Sequence, residues 1–254
     1  MSEKELYTVR AVQRALNILE CFTFEESEQD LNQLSEKLGL HKSTIHRLVK
    51  NLEHEGFLEK KPKQEIYKLG IKVFRLGMVV HETMGLRKVA QPIMNELAEE
   101  AGFTVFLSVI QNGQKVCVEK VRGGHGLQPS IRVGQVVPLH VGSSGRVLLS
   151  YMTEEEVDKI LDNHLSAFTP NTIIDKNTLK EQLAEIRRNG YAVGFEEKII
   201  GGAGISAPLI TYNGRVEIAI SLAGPANAIR NNEKLLVPMV INAAKKISSE
   251  LGNI

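Results

Sequence analysis

Residues Leu31 to Leu58, LNQLSEKLGLHKSTIHRLVKNLEHEGFL, carry two short apolar periodicities on either side of a glycine, and few folds accept that arrangement. Leu31, Leu34 and Leu38 recur at helical spacing before Gly39, and Ile45, Leu48, Val49 and Leu52 recur after it. Two amphipathic stripes this close in sequence bury each other. Gly39-Leu40-His41 allows only a tight turn, which sets the second helix steeply across the first, as in helix-turn-helix units. The outward front of the second helix then carries Lys42, Ser43, Thr44, His46 and Arg47, short donors and long cations suited to base edges and phosphates in a major groove. Taken alone, the pattern also fits a surface helical hairpin with a solvated charged face.

The residues after Gly56 separate the two readings. There the runs Phe57 to Lys60 and Ile66 to Leu69 are strand-like and joined by a Pro-containing basic loop, a hairpin wing. Between Lys42 and Arg75 there are nine Lys or Arg against four Glu, while the whole chain carries a formal charge of only +1. The excess is therefore local, a small surface that releases counterions at one place rather than a general affinity for polyanions. Lys61, Lys63 and Lys68 on the wing are expected on phosphates. Upstream, Val12, Ala15, Leu16 and Leu19 share one face of a first helix, with Arg10 and Arg14 on another side within reach of a DNA backbone. Thr23 to Asp30 reads as an acidic loop. From Ile71 to about Leu86, Val73, Phe74, Gly77, Val80 and Met84 continue a helical stripe, a connecting helix whose apolar side suits either a dimer contact or its own chain.

At 254 residues and 43% hydrophobic, the chain has material for two cores. No apolar run approaches the roughly 18 residues of a membrane helix, and MSEKELYTV lacks the apolar stretch of a signal peptide, so the expectation is a soluble, cytoplasmic protein with no membrane partner. Cys21 and Cys117 sit in separate apolar runs and read as packing residues, neither a disulfide nor a metal site.

From about Arg87 the texture changes. Val89 to Gly102 is helical; residues 103–110 and 115–121 are strand-like and joined through Asn112-Gly113, a hairpin signal. Two more strands are expected near 129–133 and 136–141, then a helix from Ser143 to Met152. Thr153-Glu154-Glu155-Glu156 fits a capping box for a helix ending near His164. Thr178 and Glu181 repeat that signal, and Gly190 stops the helix. Ile205 to Thr211 and Arg215 to Leu222 flank Asn213-Gly214, and Asn231 to Leu251 closes the chain as an amphipathic helix. This order implies an α+β domain with a mostly antiparallel sheet covered by helices.

Several of these phrases resemble the IclR family of bacterial transcriptional regulators. Gly39 through Leu48, Leu52-Glu53-His54-Glu55-Gly56-Phe57-Leu58 and Tyr67-Lys68-Leu69-Gly70 are similar to its winged helix-turn-helix domain. Pro138-Leu139-His140 through Arg146, Gly190-Tyr191 through Glu196-Glu197 to Ser206-Ala207-Pro208, and Gly224-Pro225 are similar to its effector domain, so collinear motifs span nearly the whole chain. The resemblance implies a winged helix-turn-helix over residues 1–70, a linker helix over 71–86 and a GAF-like effector-binding domain over 87–254, assembled as a homodimer or a dimer of dimers.

A ligand site is expected where His140 to Arg146 leads from a strand end into a helix, because a helix N-terminus offers unpaired amides and a positive dipole end to a small anion. The resemblance implies backbone contacts at Ser143 and Ser144, with Leu139, Gly145, Gly194, Gly204, Ser221 and Ala223 around the same cavity. The family's Asp and Cys contacts stand here as Gly194 and Gly204, and one of its two Ser as Ala223, which predicts a larger or less polar organic acid, aromatic or sugar acids first. Arg132 is a candidate carboxylate partner.

Enzyme signatures fail one by one. Gly202 to Ala207 formally matches a dinucleotide fingerprint, but Pro208 comes next and no helix does. Gly142-Ser143-Ser144-Gly145 lacks nucleophile-elbow spacing, no Walker lysine succeeds a glycine run, and the seven His are scattered without metal-ligand spacing. Glu196 and Glu197, adjacent on an extended segment, point apart and read as solvated charge. The expectation is a regulator, without cofactor or metal, that binds a palindromic double-stranded operator and is modulated by a small carboxylate-bearing metabolite, a repressor rather than an activator. The competing class is a small-molecule binding protein or enzyme with a vestigial helical domain.

Overall fold

A computed structural model describes residues 9–62, 64–124, 131–211 and 214–252, which form two compact units divided between Thr83 and Met84. Lys63, Asn213 and the N-terminal segment through Thr8 lie outside the described residues.

In the first unit, α1 (Arg10–Glu20) packs on the pair α2 (Leu31–Leu38) and α3 (Lys42–His54). Gly39 closes α2 in the left-handed region (φ 61°), and Ser35 donates to the Leu40 carbonyl at 2.6 Å, fixing the three-residue turn. Asp30 caps α2 reciprocally with Gln33, each side chain meeting the other's backbone N–H. The expected acidic loop also contributes β1 (Gln29–Asp30), which pairs with β3 (Ile66–Leu69); β3 in turn pairs with β2 (Leu58–Lys60) to make the wing. Ile18, Leu34, Ile45, Val49 and Tyr67 are fully buried at the centre. On α1 the buried residue is Ile18, flanked by Ala15 and Leu19; Val12 and Leu16, expected on the same inner face, are 56% and 50% exposed. The core contacts of α1 therefore fall on Ala15, Ile18 and Leu19, toward its C-terminal end. Helix α4 (Ile71–Thr83) comes next and buries none of its residues. It ends three residues short of the expected Leu86.

The second unit begins with α5 (Gly85–Ala101), four residues earlier than expected, with Met84 extended between the helices (ψ 106°). Its strands are β4 (Thr104–Gln111), β5 (Gln114–Val121), β6 (Val136–Pro138), β7 (Ala192–Phe195), β8 (Gly202–Leu209) and β9 (Ile218–Pro225). They form one six-stranded, wholly antiparallel sheet in the order β6-β5-β4-β9-β8-β7. Asn112 (φ 50°) and Gly113 (φ 73°) turn β4 into β5, as the dipeptide requires. β8 and β9 are displaced from the expected 205–211 and 215–222, and three further strand expectations change. Residues 131–133 are irregular, β6 stops at Pro138, and β7 enters as an additional strand, too short for a sequence signal because only four residues pair.

Side-chain alternation gives the sheet two faces. Val105, Leu107, Ile205, Leu209, Ile220 and Leu222 meet α5 and α9 (Ala226–Leu251). The opposite face meets α6 (Gly142–Ser150), α7 (Glu154–Leu161) and α8 (Lys176–Asn189), with Leu148, Leu149, Leu161, Leu179 and Ala219 at the centre of that core. Thr153 and Glu156 form the expected capping box of α7, whereas α8 is capped by Asp175, one turn before the expected signal; Thr178 is the residue that donates to it. Among the described residues, no helix is long and apolar enough to cross a membrane.

Candidate functional site

Two places gather functional side chains. On α3 the inward residues Ile45, Val49 and Leu52 hold the helix on the core, and this fixes the opposite face outward. Lys42, Ser43, His46 and Arg47 are exposed and Thr44 is half-buried, so the first turns of the helix present a polar and cationic front. Arg10 and Arg14 are exposed on α1. Among the described residues no ion pair engages Arg10, Arg14, Lys42 or Arg47. The wing differs. Lys61 is paired with Glu28 at 2.6 Å and Lys68 with Glu59 at 3.4 Å, so a phosphate there would share each ammonium with a carboxylate or displace it.

The second place is a cavity of about 310 Å³ on the α6 side of the sheet. Phe106 and Ser108 from β4, Lys115 and Cys117 from β5, Gly194 from β7, Gly204 from β8 and Ala223 from β9 supply its floor, and Gly142, Ser143 and Ser144 at the start of α6 supply one wall. Of the residues expected around a ligand, Ser143, Ser144, Gly194, Gly204 and Ala223 line it. Four others stand elsewhere. Leu139 is buried in the α6–α8 core, and Gly145 is a packing glycine, since a Cβ there would fall 2.0 Å from the Leu139 carbonyl oxygen. Ser221 is fully buried beneath the floor, at the end of a hydroxyl chain in which Ser143 meets Ser206 and Ser206 meets Ser221, each at 2.8 Å. Arg132 is exposed on the irregular segment and does not line the cavity.

The charge pattern of the wall is not the one expected. Glu197, read from sequence as solvated, is 6% exposed; its carboxylate pairs with Arg146 and accepts the Gly142 N–H at 3.0 Å. One of the amides that opens α6 is thus already covered by an anion. Arg146 also donates to the Val193 carbonyl at 2.8 Å. Gly194, which lines the cavity, also makes room for this pair, because a Cβ there would lie 2.6 Å from Glu197 Oε1. Glu196, next door, turns outward through a left-handed backbone (φ 57°) and caps the Gly201 amide at 2.7 Å.

Lys115 is a site residue that the motifs do not point to. Its Nζ donates to the Val141 carbonyl at 2.6 Å and to Ser144 Oγ at 2.8 Å, and the residue is 8% exposed. Burial, then the nearby Lys198 and Arg146 cations, push its ammonium down to about 7 against the pull of Glu197 and Cys117. Burial also raises the Cys117 thiol to about 11, so it stays protonated and inert. Period-two alternation places Lys115 on the strand face of Cys117, but with Val116 and Val118 on the other face the sequence does not say which face turns inward.

A winged helical unit with a cationic reading front, followed by an α+β unit enclosing a ligand-sized cavity, is the construction of a transcriptional regulator. Residues 11–62 match the IclR helix-turn-helix domain, and residues 78–249 match the family model described as bacterial transcriptional regulator IclR C-terminal. The chain belongs to the IclR family. It is 31% identical over 216 residues to the HTH-type transcriptional regulator XynR of Escherichia coli, covering 85% of this chain and 86% of that one. It is 29% identical over 248 residues to the transcriptional repressor IclR of the same organism, covering 96% and 90%. An IclR homolog of Microbacterium hydrocarbonoxydans, crystallised with 4-hydroxybenzoate, superposes with a TM-score of 0.80 at 25% identity over 96% of this chain and all of that one. The two Escherichia coli relatives are a regulator and a repressor of transcription.

Proposed function

We propose that the chain represses transcription as a homodimer or dimer of dimers, each winged unit reading one half-site of a palindromic operator, with an organic acid in the cavity modulating that binding. The observation that carries this reading is the orientation of α3: Ile45 and Val49 are fully buried, which turns Ser43, His46 and Arg47 to the outside. In this reading Ser43, Thr44 and Arg47 meet base edges, while Lys42, Arg10, Arg14 and the wing lysines Lys61, Lys63 and Lys68 contact phosphates. Repressors among the relatives support the sign of regulation, and 4-hydroxybenzoate in a homolog supports a carboxylate effector. Exposed apolar side chains on α1 and α4, Val12, Leu16, Phe74 and Val79 among them, supply a face for a second copy. A ligand acts by binding one arrangement of the dimer better than another.

Gel-shift titration of the DNA upstream of its own gene tests this. Arg47→Ala should weaken binding by about 1–3 kcal/mol and relax preference at one base position while ligand affinity is unchanged. Loss of ligand binding with intact operator binding would overturn the assignment.

A further inference from the structure

The cavity holds a cation that a helix-terminus site has no use for. Lys115 is out of water, and its two acceptors, the Val141 carbonyl and the Ser144 hydroxyl, neutralise no charge. The carboxylate on the same wall, Glu197, is committed to Arg146 and to the Gly142 amide. A buried cation in that position is costly until an anion joins it. An ammonium has three donors, and two are spent, so the third is available to whatever fills the cavity.

Building on the reading of this cavity as the effector site, we propose that Lys115, assisted by Lys198, anchors the effector's carboxylate, and that the effector is a monocarboxylic acid whose apolar body lies on Phe106, Val137 and Ile199. The α6 amides take a lesser share, because the negative charge of Glu197 already sits at Gly142 and repels a second anion. The third Lys115 donor, with Lys198 nearby but bonded to Gln135 Oε1 at 3.0 Å, suits one carboxylate beside apolar walls; a phosphate, with more charge and more acceptor oxygens, would be left under-coordinated.

This seat is coupled to a proton. The charged and titratable groups facing Lys115 are Lys198 and Glu197 from the segment after β7, Arg146 from α6 and Cys117 from β5, whereas Phe106, Ser108 and Val137 on β4 and β6 are uncharged. With the apo ammonium held at about 7, a bound carboxylate raises it and draws in a proton.

The test is isothermal titration of the full chain with benzoate, 4-hydroxybenzoate, phenylacetate and pyruvate, with their primary amides and with inorganic phosphate. At least one acid should bind, its amide should bind at least about tenfold more weakly, and acid affinity should fall from about pH 6 to about pH 8.5 with proton uptake on binding. Lys115→Met should weaken the acid about 10- to 150-fold, and Lys115→Arg should restore binding without the pH dependence. The proposal is overturned if no acid binds, if acid and amide bind alike, if phosphate is preferred, or if Lys115→Met binds the acid as the parent does. Should the Met variant fail to fold, the pH profile and proton uptake of the parent decide alone. Operator retention by the parent in a gel shift reports the regulator reading separately, so the two can fail independently.

Discussion

Arg146 and Glu197 show how much a single side chain can carry in this protein. Both are nearly sealed from solvent and hold one another, so neither can be removed cheaply: Arg146→Met should cost about 3–5 kcal/mol in denaturant unfolding, because a bare carboxylate is left inside. Lys115 has the opposite energetics. Its ammonium falls from the ordinary lysine range to about 7 on folding, so between these values the unfolded chain binds more protons and stability rises with pH; the penalty is complete below 7. Lys115→Met should therefore raise the melting temperature of the ligand-free protein, with a larger gain at about pH 6 than at about pH 9. Neither Lys115 nor Glu197 was legible as buried. A lone Lys or Glu in a sequence reads as solvated charge, and only the outward turn at Glu196, which swings its neighbour inward, decides which of the two adjacent carboxylates enters the wall.

Elements with strong local chemistry stand where their sequence signals put them. Asn112-Gly113 fixes a hairpin through two positive φ angles, Thr153 and Glu156 fix a helix start, and Gly190 ends α8 at φ 75°. Elements decided by tertiary context do not. The short β7 exists only because β8 offers it a partner, and the start of α8 falls to Asp175 because a carboxylate one turn earlier caps the helix through Thr178. The start of α6 is fixed by close packing of a kind that periodicity cannot reveal. Gly145→Ala would drive a methyl to 2.0 Å from the Leu139 carbonyl oxygen, and a loss of about 3 kcal/mol is expected in thermal or chemical unfolding, with the cavity wall displaced. Asp30→Ala should cost about 1 kcal/mol by undoing the reciprocal cap of α2, measurable in the same way.

For the molecule as a whole, the two-unit plan and the antiparallel second half were readable from where the hydrophobic period changes, but the outer faces were not. Val12 and Leu16, inward by spacing, are exposed, as are Phe74 and Val79 on α4. Periodicity identifies an apolar stripe without saying whether its partner is the same chain. Phe74→Glu should therefore shift sedimentation toward monomer and weaken operator binding more than it alters the monomer's melting temperature. Removing one of the cations proposed to contact phosphate, as in Lys42→Ala, should reduce the slope of log affinity against log salt by about 1. The second unit's sheet has its own bearing on assembly. Its outermost strands, β6 and β7, are three and four residues long, too brief to template the growth of a neighbouring molecule's backbone ladder. Copies brought close together at high concentration are thereby protected from zipping into fibrils through this sheet.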